Sequence, residues 1–202
     1  METELVEPGR YLFRTRGFFP MHKLAVFAAF LVLAICAAAI FGMLHDQISY
    51  TVSSEYYTKF KFIQFDLLDL QLPDRVRAAM VGFLASWWMG VPLGLLTGVA
   101  GFIHPNARQM FRALLWSLFV ITAFTLLFAL TGLAYGYSQT ANLDLSNYAR
   151  WFIPPDLKNP RNFICVGYMH NSAYLGGLLA IPVAWLFHIY YRYRAAKAAH
   201  SN

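Results

Sequence analysis

The chain has 202 residues, of which 58% are hydrophobic, 17% aromatic and only 13% charged. Soluble domains carry about 25% charged residues, and disordered chains are poor in aromatic and apolar ones, so both classes are excluded and a membrane protein is the first reading. The net charge of +6 would point to nucleic acid in a soluble protein. In a membrane protein such charge gathers on the cytoplasmic flanks of helices, and no nucleic-acid partner is expected.

The first uncharged run covers residues 24–44. It exceeds the roughly 7–15 residues of a signal-peptide core. Leu33-Ala34-Ile35-Cys36 approaches a lipoprotein cleavage box, but isoleucine is too large before the cysteine; Ala37-Ala38-Ala39 offers another cleavage site. A retained helix is the reading. Further apolar runs cover about 78–103, 113–137 and 165–191. A hydrocarbon core of about 30 Å needs about 20 helical residues, and lipid forces each backbone polar group to find its partner within the helix. The expectation is an all-α, integral membrane four-helix bundle forming a single domain over 1–202, with connections at about 45–77 and 138–164.

The leader, the middle loop and the tail together hold nine basic residues, including Arg10, Arg14, Arg16, Arg108 and Arg192, against the three acids Glu2, Glu4 and Glu7. The other side holds seven of each sign. The positive-inside bias therefore puts both termini in the cytoplasm and the two long connections outside.

The first connection carries Tyr56, Phe60, Ile63, Leu67 and Leu70 at spacings of 4, 3, 4 and 3. That spacing predicts an amphipathic helix over 53–71, lying in the membrane interface. Ser54 would cap it, Glu55 and Lys59 would pair across one turn, and Pro73 follows its end. Small residues line one face of the second span (Gly82, Ser86, Gly90, Gly94, Gly98), of the fourth (Ser172, Gly176, Ala180, Ala184) and of the first (Ala34, Ala38, Gly42). Such faces let helix backbones approach closely, within a tight bundle or between copies or partners. Pro92 and Pro182 are expected to bend their helices. Residues 81–86 (VGFLAS) and 166–171 (VGYMHN) form a weak internal repeat, which would put two hairpins in the chain and His170 where the second span has Ala85.

The polar residues that could carry chemistry gather at the outer helix ends. His45 and Asp46 close the first span, Glu55 opens the amphipathic helix, and His170, Asn171 and Tyr174 start the fourth span. Ionisable residues near membrane depth are costly and point to function. Two imidazoles and carboxylates suit a transition metal, so His45, Asp46, Glu55 and His170 form a candidate ligand set; the same groups could relay protons or act as acid and base. Against this, His45-Asp46 could simply end a helix at the headgroups, and no His-x-x-x-His or Glu-x-x-His spacing is present. Haem between facing helices is a second alternative, but His22, His104 and His188 sit at helix ends, where a haem site is not expected. Arg75 and Arg77 could hold an anion, or pair with Asp66, Asp69 or Asp74. Cys36 and Cys165 make no disulfide framework. The chain has no phosphate loop, no Gly-x-Ser-x-Gly and no Cys-x-x-Cys.

The segments from His45-Asp46-Gln47-Ile48-Ser49-Tyr50 to Phe62 and from Met169-His170-Asn171 to Gly177, with Trp87-Trp88-Met89-Gly90 between them, resemble an uncharacterised group of bacterial four-helix inner-membrane proteins. Ser54 stands where that group would have proline. The resemblance implies a bacterial inner-membrane location and carries no activity with it. Two functional classes remain open. One is a structural or accessory protein that binds lipid, a membrane partner or a second copy. The other is a metal-binding protein or enzyme with an outer-face site.

Overall fold

The computed structural model describes the backbone of residues 21–200 and the side chains of 22–198. The leader charges that enter the orientation argument, from Glu2 to Arg16, lie outside the described residues. The elements are α1 (Met21–Val52), α2 (54–64), α3 (Asp74–Ile103, with 3-10 stretches at Trp87–Met89 and Val99–Ile103), α4 (Ala107–Gln139) and α5 (Pro160–His200), with a separate 3-10 turn at Leu145–Tyr148 and no strand among the described residues. Four of these helices are long and apolar enough to cross a membrane. Each has at least 30 residues, or roughly 45 Å at 1.5 Å per residue, so each outruns a hydrocarbon core of about 30 Å. The uncharged runs therefore mark only part of each helix. α1 continues through His45 to Val52, and α5 begins at Pro160, five residues before the expected start.

The small-residue faces are spent inside the chain. A Cβ on Gly42 would strike Gly82 and Ser86, one on Gly90 the backbone of Ala34 and Ile35, and one on Gly98 the rings of Phe27 and Phe30. Contacts that climb α3 while descending α1 make an antiparallel hairpin. Gly132 meets Ser172, Gly136 meets Tyr168 and Cys165, and Gly176 meets Phe128, which makes α4 and α5 a second hairpin of the same kind. Of the internal repeat, Val81 and Val166 are buried in one cluster and Ala85 and His170 line one cavity, but Gly82 packs on Gly42 whereas Gly167 packs on Trp151.

The two prolines behave differently. Pro92 has no N–H for the carbonyl four residues back and crowds it, and α3 tightens to a 3-10 turn at Trp87–Met89 just before it. α5 runs through Pro182 unbroken.

The first connection departs most from expectation. Ser53, not Ser54, caps α2, its side chain accepting from Tyr56 N–H. The helix then widens into a π turn over Tyr57–Lys61, with Phe62 N–H bonded to Tyr57 O, and Leu67 N–H repeats the five-residue reach to Phe62 O at 2.8 Å. Burial follows that spacing of five: Tyr57, Phe62 and Leu67 are buried, whereas Ile63 and Leu70, expected on the apolar face, are exposed. The helix stops at residue 64, and Asp66 adopts a positive φ of 55°, a conformation that aspartate tolerates better than most residues. The buried face packs on Ala78 and Val81 of α3 and Phe163 and Val166 of α5. α2 thus closes one end of the bundle.

The second connection folds onto the first. Glu55 accepts the N–H groups of Lys158 and Asn159 at 3.0 and 2.9 Å, Lys59 donates to Asp156 O, and Asn162 donates to Val52 O at 3.0 Å. At the opposite end Phe30, Ala34, Met110 and Leu114 form a second core.

Candidate metal centre and cavity

His45 and Asp46 lie two turns before the end of α1, and His170 lies about three turns into α5. Their burial follows from the overhang of these helices and from the α2 roof. All three are more than nine-tenths buried, at 4%, 3% and 8% exposure. One ligand atom from each lies within 4.8 Å of the others. Asp46 Oδ1 is 3.0 Å from His45 Nδ1 and 3.8 Å from His170 Nε2, and the two imidazole rings meet edge to face with centroids 4.6 Å apart. Tyr56 stacks on His170 from the roof, at 5.0 Å and 22°. Ser49 and Tyr57 share a hydrogen bond beside the cluster.

Three buried atoms of this cluster have no hydrogen-bond partner: His45 Nε2, Asp46 Oδ2 and His170 Nε2. An orphaned buried polar atom costs about 1–3 kcal/mol, more if charged, and native proteins keep few of them. The donor set of two imidazoles and one carboxylate suits zinc, iron or copper. Metal–ligand bonds of about 2.0–2.2 Å keep two ligand atoms on one ion within about 4.3 Å, so the cluster needs only a small contraction.

Glu55 is not brought to this group. Its carboxylate is committed to Lys158, Asn159 and Lys59. Burial alone would raise its pKa, but the two backbone N–H groups and the Lys59 ammonium outweigh that and hold it below the usual carboxylate range. Tyr174 reaches the cavity described below, and Asn171 is exposed on α5. Arg77 pairs with Asp74 and lies over the Phe62 ring, while Arg75 donates to Thr51 and Gln47. Arg77 also donates to Leu67 O and Leu68 O and so fastens the roof to α3, whereas Arg75 ties α3 to α1.

The centre opens on a cavity of about 120 Å³ inside the bundle, walled by α1, α3, α4 and α5. Lys61, unmarked in the sequence, also lines it. Its ammonium donates to Gln64 Oε1 at 2.9 Å and sits 4.7 Å from the Phe60 ring. Burial lowers its pKa, with Asp46 acting in the opposite sense. Burial likewise raises the phenols of Tyr56 and Tyr57, so the roof tyrosines stay neutral.

A second histidine pair closes the other end. His104 Nε2 and His188 Nδ1 are 2.9 Å apart and both residues are buried. Sequence reasoning treated both as flanking residues, because 84 positions separate them. Neither pair fits haem. Two axial nitrogens about 2 Å from one iron stand about 4 Å apart with the macrocycle between them, whereas one pair is directly hydrogen-bonded and the other has its rings in contact. Cys36 and Cys165 are free, the first exposed and the second buried.

The fold and these spans define a multi-pass helical membrane protein with a buried polar centre at one end of its bundle. Comparison of the chain with family models, curated proteins and solved structures gives no match.

Proposed function

We propose that this chain is a membrane metal-binding protein that holds one transition-metal ion on His45, Asp46 and His170. The observation that carries the reading is the convergence of three buried side chains, with one ligand atom of each within 4.8 Å of the others, each also keeping a buried polar atom without a hydrogen-bond partner. Packing alone leaves that desolvation uncompensated, whereas an ion held by the three side chains offsets it. Three protein ligands would leave a coordination position free, as in catalytic rather than structural zinc sites, and the same three residues line the cavity. The bias of basic residues supports cytoplasmic termini, which puts the centre near the outer face, and the resemblance supports a bacterial inner membrane. Residues 45–62 and 169–177 support placing the chain with the bacterial four-helix group they resemble. Lipid then covers the large apolar side chains that the bundle leaves exposed, among them Leu44, Phe119, Leu127 and Leu186.

Elemental analysis of the detergent-purified protein tests the reading. Wild type should carry about one zinc, iron or copper per chain, and His170→Ala and Asp46→Asn should lose it while keeping their helical circular dichroism. An absence of stoichiometric metal in wild type, or full retention in both variants, refutes it.

A further inference from the structure

The cavity runs down the bundle axis from the metal-binding cluster. Along α1 its wall descends from His45 to Ala34, eleven residues or roughly 16 Å of helix. A volume of about 120 Å³ spread over that length is a shaft one chain wide. Its walls are Ala, Gly, Leu, Ile and Met, with three threonines and Ser86 among them. The threonines offer no free O–H to a guest. Thr97 donates to Leu93 O at 2.7 Å, and Thr122 and Thr125 donate to Leu118 O and Ile121 O, each at 2.9 Å. Each hydroxyl is spent on its own helix. Water needs two to four polar partners to occupy a cavity, and apolar cavities stay dry and take apolar guests. Buried polar atoms without a partner stand at its head, on His45, Asp46 and His170, Lys61 lines the cavity with them, and Ser86 and Tyr174 each add a hydroxyl to the wall. An apolar wall with a few convergent polar groups at one end is the usual design of a small-molecule site.

We propose that the shaft binds a single-chain fatty carboxylate, its alkyl chain along the wall of α1, α3 and α4 and its head beside Lys61 and the metal centre. One chain fits the width, and a second would not. An anionic oxygen head complements Lys61 and a dication carrying a single carboxylate ligand. The place of the head rests on the metal reading; the place of the chain does not.

The test is photolabelling of the full-length protein in zinc-supplemented phosphatidylcholine nanodiscs, using laurate with a terminal diazirine. Labelled residues are mapped by mass spectrometry, and metal is measured on the same samples. The expected label falls on shaft residues such as Met89, Leu93 and Leu118, and is competed away by unlabelled laurate. Ala85→Leu and Ala38→Leu, which narrow the shaft from two different helices, should each lose that label and keep the metal. Label confined to outward residues such as Phe119 and Leu127, or shaft label that survives both substitutions in folded protein, overturns the proposal. Shaft label with no bound metal overturns the metal reading and leaves the chain's place standing. Bound metal with no shaft label does the reverse.

Discussion

Replacing Gly90 by alanine puts the packing of α1 on α3 to a direct test. Alanine ordinarily stabilises a helix interior by about 0.5–1 kcal/mol over glycine. At Gly90 the added Cβ would stand 2.5 Å from Ile35 Cα, 2.7 Å from Ala34 O and 2.8 Å from Ile35 N. Favourable carbon contacts begin at about 3.5–4.0 Å, so the helices must part by about 1 Å. All three obstacles are backbone, and no side chain can rotate aside. Overpacking costs about 1–3 kcal/mol, and contacts this close to backbone lie at the upper end, about 2–3 kcal/mol, leaving a net loss of about 1–2.5 kcal/mol after the helix-propensity gain. Gly177→Ala is the control. There the nearest atom is Leu93 Cδ1 at 3.7 Å, an ordinary contact, and the substitution should stabilise by up to about 1 kcal/mol. Reversible unfolding in mixed micelles of dodecyl maltoside and dodecyl sulfate measures both. A Gly90→Ala protein as stable as wild type, or a Gly177→Ala protein that loses as much as Gly90→Ala, would refute the argument.

Three further outcomes follow from the roof and from the opposite end of the bundle. Tyr56→Leu removes the ring stacked on His170; groups that hydrogen-bond a metal ligand are worth about 10–100-fold in affinity, and loss of this stacking contact should weaken binding toward the lower end of that range, which a competitive chelator titration would read, an unchanged affinity counting against the roof as a positioning device. Glu55→Gln weakens charge-assisted hydrogen bonds to Lys158 and Asn159, so hydrogen exchange at those two amides should quicken about tenfold or more; in wild type the tie is intact above the ordinary carboxylate range and is lost as pH falls through the depressed value of Glu55. His104 is pushed down to about 4 by burial and by Arg192 and Lys23, and it also faces His188 and Tyr191; a neutral imidazole is therefore favoured in the folded state, its contribution to stability is full above the ordinary histidine value near 6.5 and falls by about 1.4 kcal/mol per pH unit between about 6.5 and 4, and His104→Asn should make the slope of stability with pH shallower over that range in thermal melts.

Part of the centre was legible in the sequence. His45, Asp46 and His170 stand out because ionisable groups are rare next to long apolar runs, and the repeat already aligned His170 with the inward-facing Ala85. Glu55 was legible as a carboxylate near the same helix ends, but not as one turned away. Its partners are backbone N–H groups 103 and 104 residues later, and no local pattern announces them. The first connection was read on a helical period of 3.6, which the π turn breaks. Its five-residue hydrogen bonds add Tyr57 and Phe62 to the buried Tyr56 and Leu67, expose Ile63 and Leu70, and bring the unmarked Lys61 to the cavity.

The four spans and the small-residue faces were determined by the sequence alone. Each depends on a segment's own side chains against lipid: a run without charge cannot leave the hydrocarbon, and a row of glycines cannot fill a gap. The tertiary structure decided which faces met, that α2 closes the bundle end, and that three donor atoms from residues as far apart as 45 and 170 converge. It also paired His104 with His188 and joined the two connections. Those outcomes depend on distances between remote helices, which close packing sets to within an ångström and which no periodicity along the chain encodes.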